Sequence, residues 1–284
     1  TRKVTIDFDS KTGKDKLALM AAVMAAIHRL LIANKTVTRR SLYYSLKVLS
    51  SCNIKLIAAK LISIHSDLVA TSKGLAAGEL ILLLVDNKII NFTTPGGAII
   101  PQIISNVMSI RTKAKLVLVV EKDSVFQKLL EENCTQILNC ILITGKGYPD
   151  VATRMLVKIL SEKMELPVYI IVDPDPYGVD IMFVYRFGSA ALSKENDSLT
   201  CPKMRWLGIF PSELLVLGVK TNPLTKYDWS KLIAFENRPY VTEVFRKELE
   251  ILRDGKAEVE NISSSRNFLT AAYLSCKIKG NYFI

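Results

Sequence analysis

The sequence predicts a mixed α/β protein, with an N-terminal winged helix-turn-helix domain over residues 1–93 and a second domain over 94–284 built on a mostly parallel sheet. Three observations carry this reading. Residues 15–64 read as successive helices and are followed by a hairpin, which is the winged-helix order. From residue 116 onward, short wholly apolar runs alternate with helical stretches, as strands buried on both faces do. Positive charge is also unevenly placed: residues 1–92 carry 14 basic and 6 acidic side chains within a whole-chain formal charge of +11. A basic N-terminal third is the footprint of a polyanion-binding module, although many solvated surfaces are basic without one.

The first helix, over residues 15–33, is rich in Ala and Leu with apolar positions all around it, which predicts a largely buried element. Asn34 and Lys35 break it, and Thr38 is placed to N-cap a second helix reaching about Ser50. Ile54, Ile57, Leu61 and Ile64 recur at helical spacing and mark a third. Ser72-Lys73-Gly74 reads as a turn. Leu80–Val85 and Ile89–Phe92 flank Asp86-Asn87-Lys88 as a hairpin, and Thr94-Pro95-Gly96-Gly97 reads as a loop at the domain boundary. Beyond it, Leu116–Val120, Ile137–Thr144 and Val168–Val172 are the buried strands. Helices are predicted from Ser124 to Glu132 and over about residues 150–163 and 177–192. The last 80 residues show no clear period.

Composition excludes several classes. No apolar run reaches the roughly 18–20 residues of a membrane span. The apolar Leu17–Ile27 stretch follows Asp7, Asp9 and Asp15, unlike a signal-peptide core. The five cysteines (Cys52, Cys134, Cys140, Cys201, Cys276) contain no C-x-x-C pair, and the only histidines are His28 and His65. That leaves no zinc-finger spacing and argues for reduced thiols rather than a disulfide framework. The sequence opens on Thr1 rather than methionine, as a trimmed chain would, so a targeting signal ahead of it would be missing.

Glu121 directly follows the first of those strands; Asp173 and Asp175 follow the third, in Val172-Asp173-Pro174-Asp175-Pro176. Ligand sites in parallel sheets lie at the carboxyl ends of the strands, so three carboxylates there form a candidate site for magnesium, a hard cation that takes oxygen ligands. Taken singly, each has a plainer reading. Glu121 is an ordinary strand-exit acid, and Asp175 before Pro176 is a good helix N-cap with proline at the first helical position.

On the predicted second helix, Leu42, Leu46 and Leu49 share one face at about 100° per residue. Tyr44 points the opposite way, with Arg40 a turn before it and Lys47 a turn after. Phenol, with a pKa of about 10, attacks a phosphodiester only where cations stabilise the phenolate and the developing charge. Arg40 has that spacing. An aromatic pair, Tyr43 and Tyr44, packed on a basic helix fits the same residues.

With these residues in view, the sequence resembles the DNA topoisomerase VI A subunit family and, within it, the eukaryotic branch that makes meiotic DNA double-strand breaks. The resemblance spans nearly the whole chain. It rests on ordered motifs: Arg39-Arg40-Ser41-Leu42-Tyr43-Tyr44; Thr71-Ser72-Lys73-Gly74-Leu75; Glu121-Lys122; Thr144-Gly145-Lys146-Gly147-Tyr148-Pro149-Asp150 with Ala152-Thr153-Arg154; Asp173-x-Asp175-Pro176-x-Gly178; and Trp206-Leu207-Gly208. It implies that the second domain is a Toprim domain with a C-terminal extension. It also implies that Tyr44 is the nucleophile with Arg40 beside it, and that Glu121, Asp173 and Asp175 hold Mg²⁺.

The implied reaction is a transesterification that leaves the tyrosine on the 5′ phosphate and frees a 3′ hydroxyl. The tyrosine of one subunit works beside the acids of a second in a homodimer, with Glu121 as a candidate proton shuttle. Double-stranded DNA, a topoisomerase VI B-like ATPase-type subunit docking on the N-terminal region, and a nuclear, chromosomal setting follow from the same resemblance. Arg39, Lys47, Lys73, Lys146, Tyr148 and Arg154 become candidate DNA contacts. Two departures stand out, since meiotic relatives usually carry a small residue at Pro174 and a histidine at Tyr177. Two other functions remain open: the cutting subunit of a type IIB topoisomerase that reseals its breaks, and a DNA-binding scaffold without catalysis.

Overall fold

The computed structural model describes residues 11–32, 37–38, 68–69, 72–102, 107–189, 196–262 and 267–284. Arg39, Arg40, Tyr44, Lys47 and the predicted second and third helices lie outside the described residues. The chain divides into two compact units, Thr1–Thr71 and Ser72–Ile284.

In the first unit, α1 spans Lys11–Ile32, as the Ala- and Leu-rich run predicts. Its expected burial does not hold: Leu17, Met24 and Ile32 are exposed, Ile32 by 74%. Apolar residues encircle this helix instead of forming one stripe, so whichever face turns outward shows large side chains. Thr38, the expected N-cap, ends a two-residue strand β1 (Val37–Thr38), which pairs in parallel with β2 (Leu68–Val69). Among the described residues no helix is long and apolar enough to cross a membrane.

The second unit is organised by a six-stranded sheet of β3 (Leu75–Ala77), β6 (Ala98–Ile99), β8 (Leu116–Val120), β9 (Cys140–Thr144), β10 (Val168–Ile171) and β11 (Arg205–Gly208). Their order across the sheet is β11-β10-β8-β9-β3-β6. Strands β9, β8, β10 and β11 run parallel, while β3 joins β9 antiparallel. The mostly parallel sheet is as predicted. Strand β9 starts later than expected because Cys134–Ile137 is a short helical turn. Left-handed backbone at Asn133 and Asn139 brackets that turn and resets the chain direction.

Helices α2 (Asp123–Glu131), α3 (Val151–Glu162) and α4 (Pro176–Phe187) link these strands. Alternate residues of each strand feed two cores. Val117, Val119, Ile141, Ile143, Val168 and Ile170 pack on one face with α3 and α4. Leu116, Leu118, Val120, Leu142, Tyr169 and Ile171 pack on the other, with Phe126 of α2 and Leu269, Tyr273 and Leu274 near the C-terminus. This two-sided burial is why the strands lack a polar alternation in the sequence.

The hairpin around Asp86-Asn87-Lys88 forms as predicted, from β4 (Leu80–Leu84) and β5 (Ile89–Asn91), with Asn87 in left-handed backbone. It does not close the first domain. Strand β7 (Val107–Thr112) adds to it, and Leu80, Leu82 and Phe92 sit in the core that contains Val117 and Ile143. The two units therefore divide after Thr71 rather than near residue 93.

The C-terminal residues that showed no period supply the edge strand β11 and helices α5 (Lys226–Glu236) and α6 (Glu243–Ile251). Phe183 of α4 meets Phe235, Tyr240 and Phe245 edge-on at ring distances of 5.3–5.4 Å. Replacing Phe183 with Ala is expected to lower unfolding stability by about 3–5 kcal/mol in denaturant melts. A loss below about 1 kcal/mol would show that this cluster does not hold the C-terminal helices in place.

Candidate active site

The strand register brings the acids together. Val120 of β8 lies opposite Ile171 of β10 on one side and Thr144 of β9 on the other. Glu121 therefore leaves the sheet beside Val172 and Asp173. Its Oε2 accepts the Asp173 backbone N–H at 3.0 Å. Asp175 caps α4, accepting the Gly178 N–H on Oδ1 at 2.6 Å, with Pro176 in the first turn. Both readings of Asp175 are thus compatible, because it caps the helix and still stands at the acidic edge. Gly178 is required there: a Cβ would press into the Asp173 carbonyl and lie 2.9 Å from Glu121 Oε2.

Burial makes this edge electrostatically tense. Desolvation and the neighbouring Asp173 charge push the Glu121 carboxyl up to about 8. Desolvation pushes Asp173 up to about 6 even though Lys122 lies beside it, and burial also raises Asp175. Asp173 is satisfied on both oxygens. Oδ1 accepts the Val259 N–H at 3.0 Å, and Oδ2 pairs with Lys122 Nζ at 2.8 Å. Lys122 also meets Glu258 Oε2 at 3.2 Å and Glu260 Oε2 at 3.3 Å. Burial alone would weaken the charged ammonium, but the Asp173 hydrogen bond and charge outweigh it and raise the Lys122 pKa.

Three carboxylates carrying unfavourable negative charge are the donor chemistry magnesium takes, and a divalent cation would relieve the repulsion that burial strengthens. Among the described residues, however, no three His, Cys, Asp or Glu side chains are grouped closely enough to hold a metal ion in this arrangement. In this state Lys122 supplies the positive charge at Asp173.

The motif loops meet beside this edge. Asp150 caps α3 through the Thr153 N–H, and its other oxygen takes the backbone N–H groups of Lys73 and Gly74. Lys73 Nζ donates to the Lys146 carbonyl at 2.9 Å, and Lys146 Nζ pairs with Asp123 at 3.0 Å. Lys73, Lys146 and Tyr148 therefore share one loop cluster. Arg154 does not join them at the surface. It is 1% exposed, so its assignment as a DNA contact is corrected.

Sequence patterns assigned no role to Lys122, Glu258, Glu260, Asp180, Lys231 or Arg238. Asp180 Oδ2 accepts from Tyr148 Oη at 2.6 Å and from Lys231 Nζ at 2.6 Å, while Oδ1 accepts from Arg238 at 2.8 Å. Lys231 Nζ also lies 4.7 Å from the Tyr177 ring centroid. The Tyr177 ring thus receives a cation. No local motif signals these partners, since Lys231 and Arg238 are 51 and 58 residues from Asp180.

The parallel sheet, the strand-end acids and the capped Asp-x-Asp turn define the class, a Toprim domain. The family model for the Toprim domain of the topoisomerase 6 A subunit and Spo11 matches residues 116–278. The chain belongs to this topoisomerase 6 A/Spo11 family. It is 39% identical to the human meiotic recombination protein SPO11, over 98% of this chain and 74% of that protein. It is 35% identical to the Drosophila melanogaster meiotic recombination protein W68, over 98% of this chain and 87% of the relative. Identity to the A subunit of Arabidopsis thaliana DNA topoisomerase 6 is 32%, over 96% and 68% of the two chains.

The Asp180 cluster has a definite pH dependence. Burial disfavours its charge, but hydrogen bonds from Lys231, Tyr148 and Arg238 outweigh that and hold its pKa below the ordinary value of 3.8. A depressed carboxyl contributes stability above its unfolded pKa and loses it as pH falls through the folded value. Asp180→Asn is therefore expected to melt below wild type at pH 7, with the gap closing below about pH 4. A gap independent of pH would contradict this assignment.

Proposed function

We propose that the chain is the catalytic subunit of a meiotic DNA double-strand-break complex, cutting DNA by tyrosine transesterification. The observation that carries this reading is the contact between Glu121 and the Asp173 backbone at the ends of adjacent parallel strands. Relatives named as meiotic recombination proteins support the setting, a nuclear and chromosomal one. Residues ahead of Ser72 are assigned to a winged-helix domain presenting Tyr44, with the Toprim domain and its C-terminal extension following.

In this mechanism Tyr44 Oη forms a bond to the scissile phosphorus while the bond to the 3′ oxygen breaks. The products are a 5′-phosphotyrosyl link and a 3′ hydroxyl. Arg40 steadies the phenolate and the charge that builds on the phosphoryl oxygens. Glu121 is the proposed proton carrier, placed beside Asp173 at the same strand end. Magnesium held by Glu121, Asp173 and Asp175 would polarise a phosphate oxygen and stabilise the leaving alkoxide. Each strand is cut by the tyrosine of one protomer beside the acids of its partner, so the cutting form is at least a homodimer.

Lys73, Lys146 and Tyr148, together with Arg39 and Lys47, are the proposed DNA contacts. The exposed apolar residues of α1 suit docking of a topoisomerase VI B-like ATPase-type subunit on the N-terminal region. A break-and-reseal topoisomerase is the second reading, favoured by the plant topoisomerase 6 protein among the relatives. A non-catalytic scaffold would have no use for three desolvated carboxylates on one edge.

The test is a covalent trap. Incubated with its B-type partner, duplex DNA and Mg²⁺, the wild-type chain is expected to yield a protein–DNA adduct, lost in Tyr44→Phe and reduced in Glu121→Gln. An adduct that persists in Tyr44→Phe defeats the nucleophile assignment, and full cleavage by Glu121→Gln defeats the proton role.

A further inference from the structure

The segment Glu258-Val259-Glu260 approaches the acidic edge from far along the chain and does two things there. The central Val259 N–H holds Asp173 Oδ1 at 3.0 Å. The flanking carboxylates grip Lys122 Nζ at 3.2 and 3.3 Å, while that same ammonium sits 2.8 Å from Asp173 Oδ2. Glu260 is itself fixed, with its Oε1 accepting from Ser124 Oγ at 2.6 Å. The Asp173 side chain is 3% exposed and that of Lys122 is 29% exposed. The lysine thus closes the solvent side of a buried carboxylate.

A lysine ammonium is a compact point charge on a flexible stem. Placed on Asp173 Oδ2, it neutralises the group that a divalent cation would use and repels that cation at close range. The two glutamates give it somewhere to go without leaving it unpaired. We propose that Lys122 is a built-in counter-ion that competes with magnesium for Asp173, and that Glu258 and Glu260 retain its ammonium once the metal displaces it. This inference rests on the reading of Asp173 as a magnesium ligand. Lys122 is a positioning residue here, acting through Asp173 and not on the reacting phosphate. The device keeps a buried acidic edge intact before metal and DNA arrive, and it sets metal affinity lower than the carboxylates alone would.

The probe is Mg²⁺ alone, titrated calorimetrically into the full chain without DNA, with thermal melts in parallel. Lys122→Met is expected to bind Mg²⁺ about tenfold more tightly than wild type, since it removes one close competing charge. Its metal-free melting temperature is expected to fall and to gain more from Mg²⁺ than that of wild type. Lys122→Arg, which keeps the charge, is expected to stay near wild-type affinity. The pair Glu258→Gln and Glu260→Gln is expected to weaken Mg²⁺ binding, and to weaken it less in the Lys122→Met background. Should Lys122→Met fail to fold without metal, the Arg and double-Gln proteins decide the matter. Wild-type uptake with equal or weaker binding by Lys122→Met overturns this inference alone. No uptake by any of these proteins overturns the magnesium reading and this inference with it.

Discussion

The register of β8 between β9 and β10 is the constraint on which the rest depends. Val120 is level with Thr144 on one side and Ile171 on the other, so the chain leaves all three strands along one edge. A one-residue slip would exchange the two faces of β8. Val117 and Val119 would then trade cores with Leu116, Leu118 and Val120, and Glu121 would leave the Asp173 N–H. Burial on both faces makes that slip costly, so hydrophobic packing fixes the position of a carboxylate it never touches.

That position carries an electrostatic strain that the fold answers locally. Two carboxyls are raised by burial to about 8 and about 6, and the nearest positive charge belongs to the residue adjacent to Glu121. Lys122, Glu258, Glu260 and the Val259 N–H form a collar around Asp173. Buried charge of this kind is costly unless paired. Lys122 supplies the pairing here, and Glu258, Val259 and Glu260 hold that lysine and Asp173 in place, which ties a late part of the chain to the site as well as to the core.

Much of this was legible from local pattern. Apolar runs located β8 and β10, the residues just past them located Glu121, Asp173 and Asp175, and Asp175-Pro176 announced the cap of α4. What stayed hidden is what sequence distance hides. Strand β7, with Ser109 and Arg111 inside it, and the four-residue edge strand β11 lack a distinct period. The partners of Asp173 and Asp180 come from loops and helices 32 or more residues away. The hairpin was read correctly but given to the wrong unit, because a local turn does not reveal which core its strands enter. Arg154 looked like a surface cation within a motif, yet it is 1% exposed, and a local motif does not reveal what covers a side chain. The chemistry proposed for Tyr44 and Arg40 rests on motif and family, joined to the acidic edge that the fold builds.

Direct calorimetry of Mg²⁺ with the full chain tests most simply whether strand register makes this edge a magnesium site, comparing wild type with Glu121→Gln and Asp173→Asn after both variants are shown to fold. Saturable uptake in wild type that is lost in either variant is the predicted result. Uptake unchanged by both substitutions would contradict the account.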